Sequence, residues 1–191
     1  MTPRVYIACL ASYNNGVLHG RWIDADQEPD EIQEEINEML RESRFPNTMV
    51  ECPECEGTDD ECELCKGTGE VPSAEEWAVH DYDEMINLGE YPSLDDISRH
   101  GLAIAEHGDA WKAFCDHFGD DVTEEQFQDA YCGQYRSEVE YAEQLVDDCY
   151  NIDEMMGNLS HYFDYEKFAR DLFISDYYRD DDTGHVFRRD F

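Results

Sequence analysis

Four of the eight cysteines stand at positions 52, 55, 62 and 65, in the run Cys52-Pro-Glu-Cys55-Glu-Gly-Thr-Asp-Asp-Glu-Cys62-Glu-Leu-Cys65-Lys-Gly-Thr-Gly69. Two Cys-x-x-Cys knuckles separated by six residues can set four thiolates tetrahedrally around one Zn²⁺, and the glycines after each knuckle permit the tight turns this needs. Four thiolates fill the coordination sphere, so the expected cofactor is one structural Zn²⁺ with no open position for chemistry. A redox dithiol, or accidental spacing, is the competing reading. Cys9, Cys115, Cys132 and Cys149 sit among apolar neighbours and read as buried small hydrophobes. Paired knuckles with scattered single thiols fit a reducing cytoplasm rather than a secreted disulfide framework.

The second source of chemistry is charge. Asp and Glu number 48 against 13 Lys and Arg, a formal net charge of 13 − 48 = −35. A chain so acidic repels nucleic acid, anionic membranes and acidic substrates, and attracts cationic clefts. Duplex DNA carries one charge per roughly 1.7 Å of axis, so 35 charges match about 60 Å of duplex. A compact domain of this length is only about 40 Å across, which favours an elongated molecule. Three other readings compete: halophilic adaptation, a calcium protein, and ordinary solvated helix faces. The run Asp180-Asp-Asp-Thr-Gly184 lacks EF-hand spacing and reads as a turn. No Gly-rich phosphate loop, GxSxG elbow or HExxH helix occurs, and paired carboxylates are too common to single out an acid/base couple. Nothing asks for an enzyme. No apolar leader or twenty-residue apolar span is present, so neither secretion nor membrane insertion is expected.

These residues need elements to position them. Val5–Tyr13 and Val17–Asp24 are rich in β-branched and aromatic residues and flank Asn14-Asn15-Gly16, which predicts a β-hairpin around a tight turn. Pro29-Asp30 opens a helix with Ile32, Ile36, Met39 and Leu40 on its apolar side. The segment 50–72 interrupts with eight acids and one lysine, 1 − 8 = −7 before any metal. Ser73-Ala-Glu-Glu76 reads as a capping box starting a new element, followed by a short strand at Glu76–Asp83. Further boxes at Ser93, Thr123 and Ser137, with stops at Gly108 and Gly119, predict a run of short helices. Asp164–Phe173 reads as an amphipathic helix leading into a hairpin that ends at His185-Val-Phe187. The expected class is α+β. Its expected parts are an N-terminal α+β domain (1–90) carrying the knuckle insert (50–72), a helical domain (91–150) and a C-terminal α+β domain (151–191).

Several of these stretches resemble the ArdA antirestriction proteins. Tyr6-Ile-Ala8, Tyr13-Asn-Asn-Gly16 and Trp22-Ile-Asp24 are similar to that family's opening; Glu76-Trp-Ala-Val-His-Asp-Tyr82, Leu88-Gly-Glu-Tyr-Pro-Ser-Leu94, Glu106-His-Gly-Asp-Ala-Trp111 and His117-Phe-Gly119 look like its middle. Asn158–Leu172 with His185-Val-Phe187 is similar to its C-terminal segment. The resemblance spans nearly the whole chain outside 50–72. Those repeated Cys-x-x-Cys-x-Gly knuckles resemble instead the DnaJ cysteine-rich region, and many ArdA relatives lack such an insert.

The resemblance implies an elongated three-domain homodimer that mimics B-form DNA. Such a protein occupies the DNA groove of the methyltransferase core of type I restriction–modification enzymes and shields incoming mobile DNA. It is a stoichiometric inhibitor, not an enzyme. On that reading the mimicking surface is expected at the outward acids of the helices: Glu34, Glu35, Glu38, Asp95, Asp96, Asp120, Asp121, Glu124, Glu125, Asp147 and Asp148. The dimer contact is expected at Tyr141, Leu145, Val146 and Tyr150, which look too apolar for a free helix edge. The alternative is a zinc-stabilised acidic adaptor for another basic protein partner.

Overall fold

The computed structural model describes residues 2–191 and has an α+β architecture. Contacts gather the chain into two compact units, residues 1–108 and 109–191.

The first unit is built on strand β1 (Arg4–Cys9), which lies between β2 (Gly20–Asp24) and β5 (Trp77–Asp83) in an antiparallel sheet. The predicted strand pairing is present, with Arg4 opposite Asp24 and Tyr6 opposite Trp22. The connection differs from the tight turn expected: Leu10–Asn14 forms a short helix, α1, whose Ser12 carbonyl accepts from the Asn15 and Val17 amides. Ser12 is fully buried and its hydroxyl bonds that of Ser43, which holds the chain in a helical turn where the strand was expected to run on to Tyr13. Against β5 the ladder slips between Tyr6 and Ile7, leaving His80 as the extra residue of a bulge.

Helix α2 (Pro29–Arg41) covers one face of this sheet. It starts with a reciprocal Glu28/Glu31 box and a proline in its first turn, and it buries Ile32, Ile36, Met39 and Leu40 as predicted. With Val5, Ile7, Ile23, Val79 and Ile97 these residues form the core of the unit. Ile97 belongs to α3 (Leu94–His107), which begins at Ser93 and stops at Gly108 as its caps predict. The Ser98 hydroxyl donates to the Gln27 carbonyl at 2.7 Å. A Cβ at Gly101 would overlap the Ala25 carbonyl, so the absence of a side chain is what lets α3 lie this close. By its contacts α3 packs with the N-terminal unit, whose compact cluster runs to Gly108.

Ser73 does not cap a helix. It ends strand β4 (Glu70–Ser73), which pairs with β3 (Thr48–Glu51) in a separate two-stranded ribbon. Ser73 is buried with its hydroxyl donating to the Ala74 carbonyl, and the element that follows is strand β5, which offers no helix N-terminus to cap.

The second unit centres on rings. Helices α4 (Asp109–Phe118) and α5 (Glu124–Ala130) bring Phe114 and Phe127 onto Phe187 of a sheet ordered β6 (Tyr131–Gln134), β8 (His185–Arg188), β7 (Tyr177–Arg179), with Trp111 against Phe114 and Phe127. The Thr123/Gln126 box that starts α5 is fully formed. Strand β6 lies inside the stretch expected to be purely helical. Its partner is more than fifty residues later, and one four-residue run around Gly133 carries little local strand signal. Helix α6 (Glu138–Cys149) packs on α8 (Tyr165–Ser175), with α7 (Ile152–Met156) and a 3₁₀ turn (Gly157–Tyr162) between them in sequence.

A cysteine cluster and an acidic surface

Beyond the β3–β4 ribbon the chain makes two equivalent loops, Cys52-Pro-Glu-Cys-Glu-Gly-Thr58 and Cys62-Glu-Leu-Cys-Lys-Gly-Thr68. Each repeats the same local moves. The Thr58 amide and hydroxyl donate to the Cys55 carbonyl, and those of Thr68 to the Cys65 carbonyl. The residues after each second cysteine turn left-handed, Glu56 and Gly57 in one loop, Lys66 and Gly67 in the other.

The repeat delivers four sulfurs to one point. The Cys52, Cys55, Cys62 and Cys65 Sγ atoms all lie within 4.8 Å of one another. Cys52 and Cys62 are 3.8 Å apart, Cys55 and Cys65 3.7 Å. A tetrahedron of sulfurs about 2.3 Å from a central ion has edges of about 3.8 Å, so these separations suit a thiolate-bound metal and are far too long for a disulfide. All eight cysteines are free thiols. Burial raises the Cys65 thiol, but the Gly69 amide and the Cys55 and Cys62 thiols outweigh it and bring it down to about 7. The Cys65 amide lowers Cys62, yet burial and the neighbouring thiols keep it up at about 12. Such a set releases its protons most readily to a cation that takes all four sulfurs at once.

Little else holds these loops. Their buried residues are Cys52, Cys62, Cys65 and Val71, with Val50 and Cys55 partly buried; Met49 and Leu64 point outward, about half exposed. Burying two valines is worth about 1.5–3 kcal/mol each. Fixing the eighteen residues Cys52–Gly69 costs about 1–2 kcal/mol apiece in backbone entropy. The apolar contacts fall several-fold short, and metal–sulfur bonds are the term that can offset the difference. The four clustered cysteines are legible in the sequence, but the ribbon that presents them is not, because Thr48–Glu51 and Glu70–Ser73 each carry one valine, and Pro72 argues against a strand.

The acidic residues are distributed differently. Asp30, Glu31, Glu34, Glu35, Glu38 and Glu42 fall within roughly 140° of arc around α2, opposite the buried Ile32, Ile36, Met39 and Leu40. They cover roughly 18 Å of axis, one carboxylate per roughly 3.6 Å, against about 3.4 Å between phosphates along one DNA strand. Arg21 pairs with Glu38 at 2.9 Å and Glu42 at 3.3 Å, partly exposed contacts worth about 0.2–1 kcal/mol each. The Gln27 amide donates to Glu35.

Of the other predicted acids, Asp95, Asp120, Asp121, Glu124, Glu125, Asp147 and Asp148 are exposed, and Glu35 and Asp96 are half-buried. The Ser93 hydroxyl and the Arg99 guanidinium hold the Asp96 carboxyl below the usual carboxylate range. Glu34, Glu35 and Glu38 share α2, while Asp95 and Asp96 open α3; both groups belong to the first unit. The remaining six lie on the second unit, four before or in the first turn of α5 and two near the end of α6.

Two of the four expected dimer-contact residues have another role. Tyr141 and Val146 are buried in the second unit, where Tyr141 meets Tyr135, Phe173 and Tyr177. The apolar stripe of α6 is covered by α8 of the same chain. Leu145 is half-buried and Tyr150 is 49 % exposed. Among the single cysteines, Cys9 and Cys115 are buried as expected, Cys132 is half-buried, and Cys149 is exposed because it lies on the outer side of α6.

No helix among the described residues is long and apolar enough to cross a membrane. A search of the curated proteins finds no match. The family model described as antirestriction protein (ArdA) matches residues 5–187, from the first residues of β1 into β8. The chain belongs to the ArdA antirestriction family.

Proposed function

We propose that this protein is a stoichiometric, non-catalytic mimic of B-form DNA. It occupies the DNA-binding groove in the methyltransferase core of a type I restriction–modification enzyme, in the cytoplasm, and protects incoming mobile DNA. The observation that carries the reading is the acid excess: with 48 acids and 13 Lys and Arg, at least 48 − 13 = 35 carboxylates have no Lys or Arg to pair with one to one. On α2 their mean axial interval is close to that of phosphates, which supports the reading that lysines and arginines arranged for DNA meet carboxylates instead. Antirestriction is the family's activity, and an electrostatic decoy achieves it without bond chemistry.

Because the charge is spread over many side chains, no single one dominates. Single Asp→Asn or Glu→Gln changes shift the affinity for the target less than about threefold, whereas neutralising Asp120, Asp121, Glu124 and Glu125 together costs about tenfold or more. Competition against labelled DNA on a purified type I methyltransferase reads both. A single substitution that abolishes inhibition would sink the distributed reading.

The ion that suits the cysteine cluster best is one structural Zn²⁺, since a closed set of four thiolates in tetrahedral spacing is its preferred site. The proposal also includes a homodimer, as the resemblance implies. Of the residues expected at its contact, Leu145 and Tyr150 are the more accessible, and Tyr141 and Val146 are buried within the chain. Sedimentation at micromolar concentration is expected to give twice the 22.3 kDa chain mass, and a monomer would remove the dimer from this account.

A further inference from the structure

We infer that the cysteine lobe is a metal-dependent folding unit whose occupancy sets part of the anionic surface. With a thiophilic divalent cation bound, residues 52–69 are ordered and their carboxylates are held in place. Without it this segment unfolds while the rest of the first unit stays intact. The consequence for inhibition rests on the DNA-mimic reading above; the folding claim does not.

Three observations carry it. The lobe has its own small core made mostly of the cysteines, separate from the core of sheet and α2. Its two loops place Glu56 and Lys66 in the left-handed region, which ordinary side chains resist and which something must hold. Its base is fastened independently of the sulfurs: the Asn47 amide donates to the Ser73 carbonyl, Ala74 to Leu40, and Glu75 to the Asn47 side chain. The fastening explains why metal loss stops at the ribbon.

The charge follows from the same geometry. Residues 50–72 carry eight acids and one lysine, −7 with neutral thiols. A divalent ion on four thiolates adds 2 − 4 = −2, giving −9. The metal therefore makes the lobe both ordered and more anionic.

The test uses the full chain under reductant, loaded with Zn²⁺ or stripped by a chelator, with Cys52, Cys55, Cys62 and Cys65 all changed to Ser as a second metal-free form. Trypsin can cut after Lys66, the lobe's one lysine, which is exposed but held in the turn of the second knuckle. We expect one Zn²⁺ per loaded chain and at least tenfold faster cleavage at Lys66 on stripping. The melting of the remaining structure should be unchanged, and DNA displacement from a type I methyltransferase three- to tenfold weaker. A chain that binds no metal, or whose Lys66 is cut at the same rate in both forms, overturns the folding unit. Rapid cleavage with undiminished displacement overturns the link to the anionic surface. If neither form displaces DNA, the mimic reading falls and the link falls with it, while the cleavage rates still decide the folding claim.

Discussion

Replacing Phe114 with alanine will destabilise residues 109–191 by about 3–5 kcal/mol. The ring is completely buried and meets Trp111, Phe118, Phe127, Phe187 and Phe191, with centroids between 4.9 and 6.1 Å away. It joins α4, α5 and β8, the elements that close this unit. Removing it forfeits the transfer free energy of a large side chain and leaves a cavity that a ring-lined site refills poorly. Domains are typically stable by about 5–15 kcal/mol, so this is a large share of the total. Urea denaturation measures the loss, and hydrogen exchange should show α4, α5 and β8 losing protection together. A loss below about 1 kcal/mol would mean that Phe114 is not the keystone of this unit.

The second large effect is on binding. Raising the salt from about 50 to about 200 mM is expected to weaken the complex with a type I methyltransferase by about 10²–10³-fold. DNA itself loses about 10³–10⁵ over that range at six to ten phosphate contacts. The mimic should fall below this, because separated carboxylates on a protein condense fewer counterions than a duplex does. Salt should act in the opposite direction on the protein alone. At a net charge of −35 the fold repels itself, so screening raises its melting temperature while it loosens the complex. Affinity changing less than about threefold would point to a largely apolar interface.

How much of this could be read from the sequence depended on the range of the interaction concerned. Local signals were legible. The Ser93, Thr123 and Ser137 caps, the Gly108 and Gly119 stops and the buried side of α2 each depend on residues a turn or two apart. The four clustered cysteines were equally plain, since metal-ligand spacing is itself a local pattern. What escaped was non-local. Strand β6 exists because Tyr131 and Gly133 find Phe187 and Val186, and the β3–β4 ribbon because two weak segments are brought together across the knuckles. Residues 10–14 follow directly on a strong strand but hold only Tyr13 as a strand former; Ser12 is drawn inward to Ser43 and the segment turns helical. The apolar stripe of α6 was visible, but only the fold shows that α8 covers it. The outward acids of α2 were legible too, since their arc opposite Ile32, Ile36, Met39 and Leu40 follows from helical spacing alone.

The central claim is that the protein inhibits by standing in DNA's place. The most direct test is a titration at low salt of purified protein into a type I methyltransferase already holding a labelled duplex. The account predicts complete release of the duplex, reaching its end point at a fixed ratio of inhibitor to enzyme, with the duplex chemically unchanged. Inhibition of the enzyme while the duplex stays bound, or release that continues catalytically far below one inhibitor per enzyme, would contradict it.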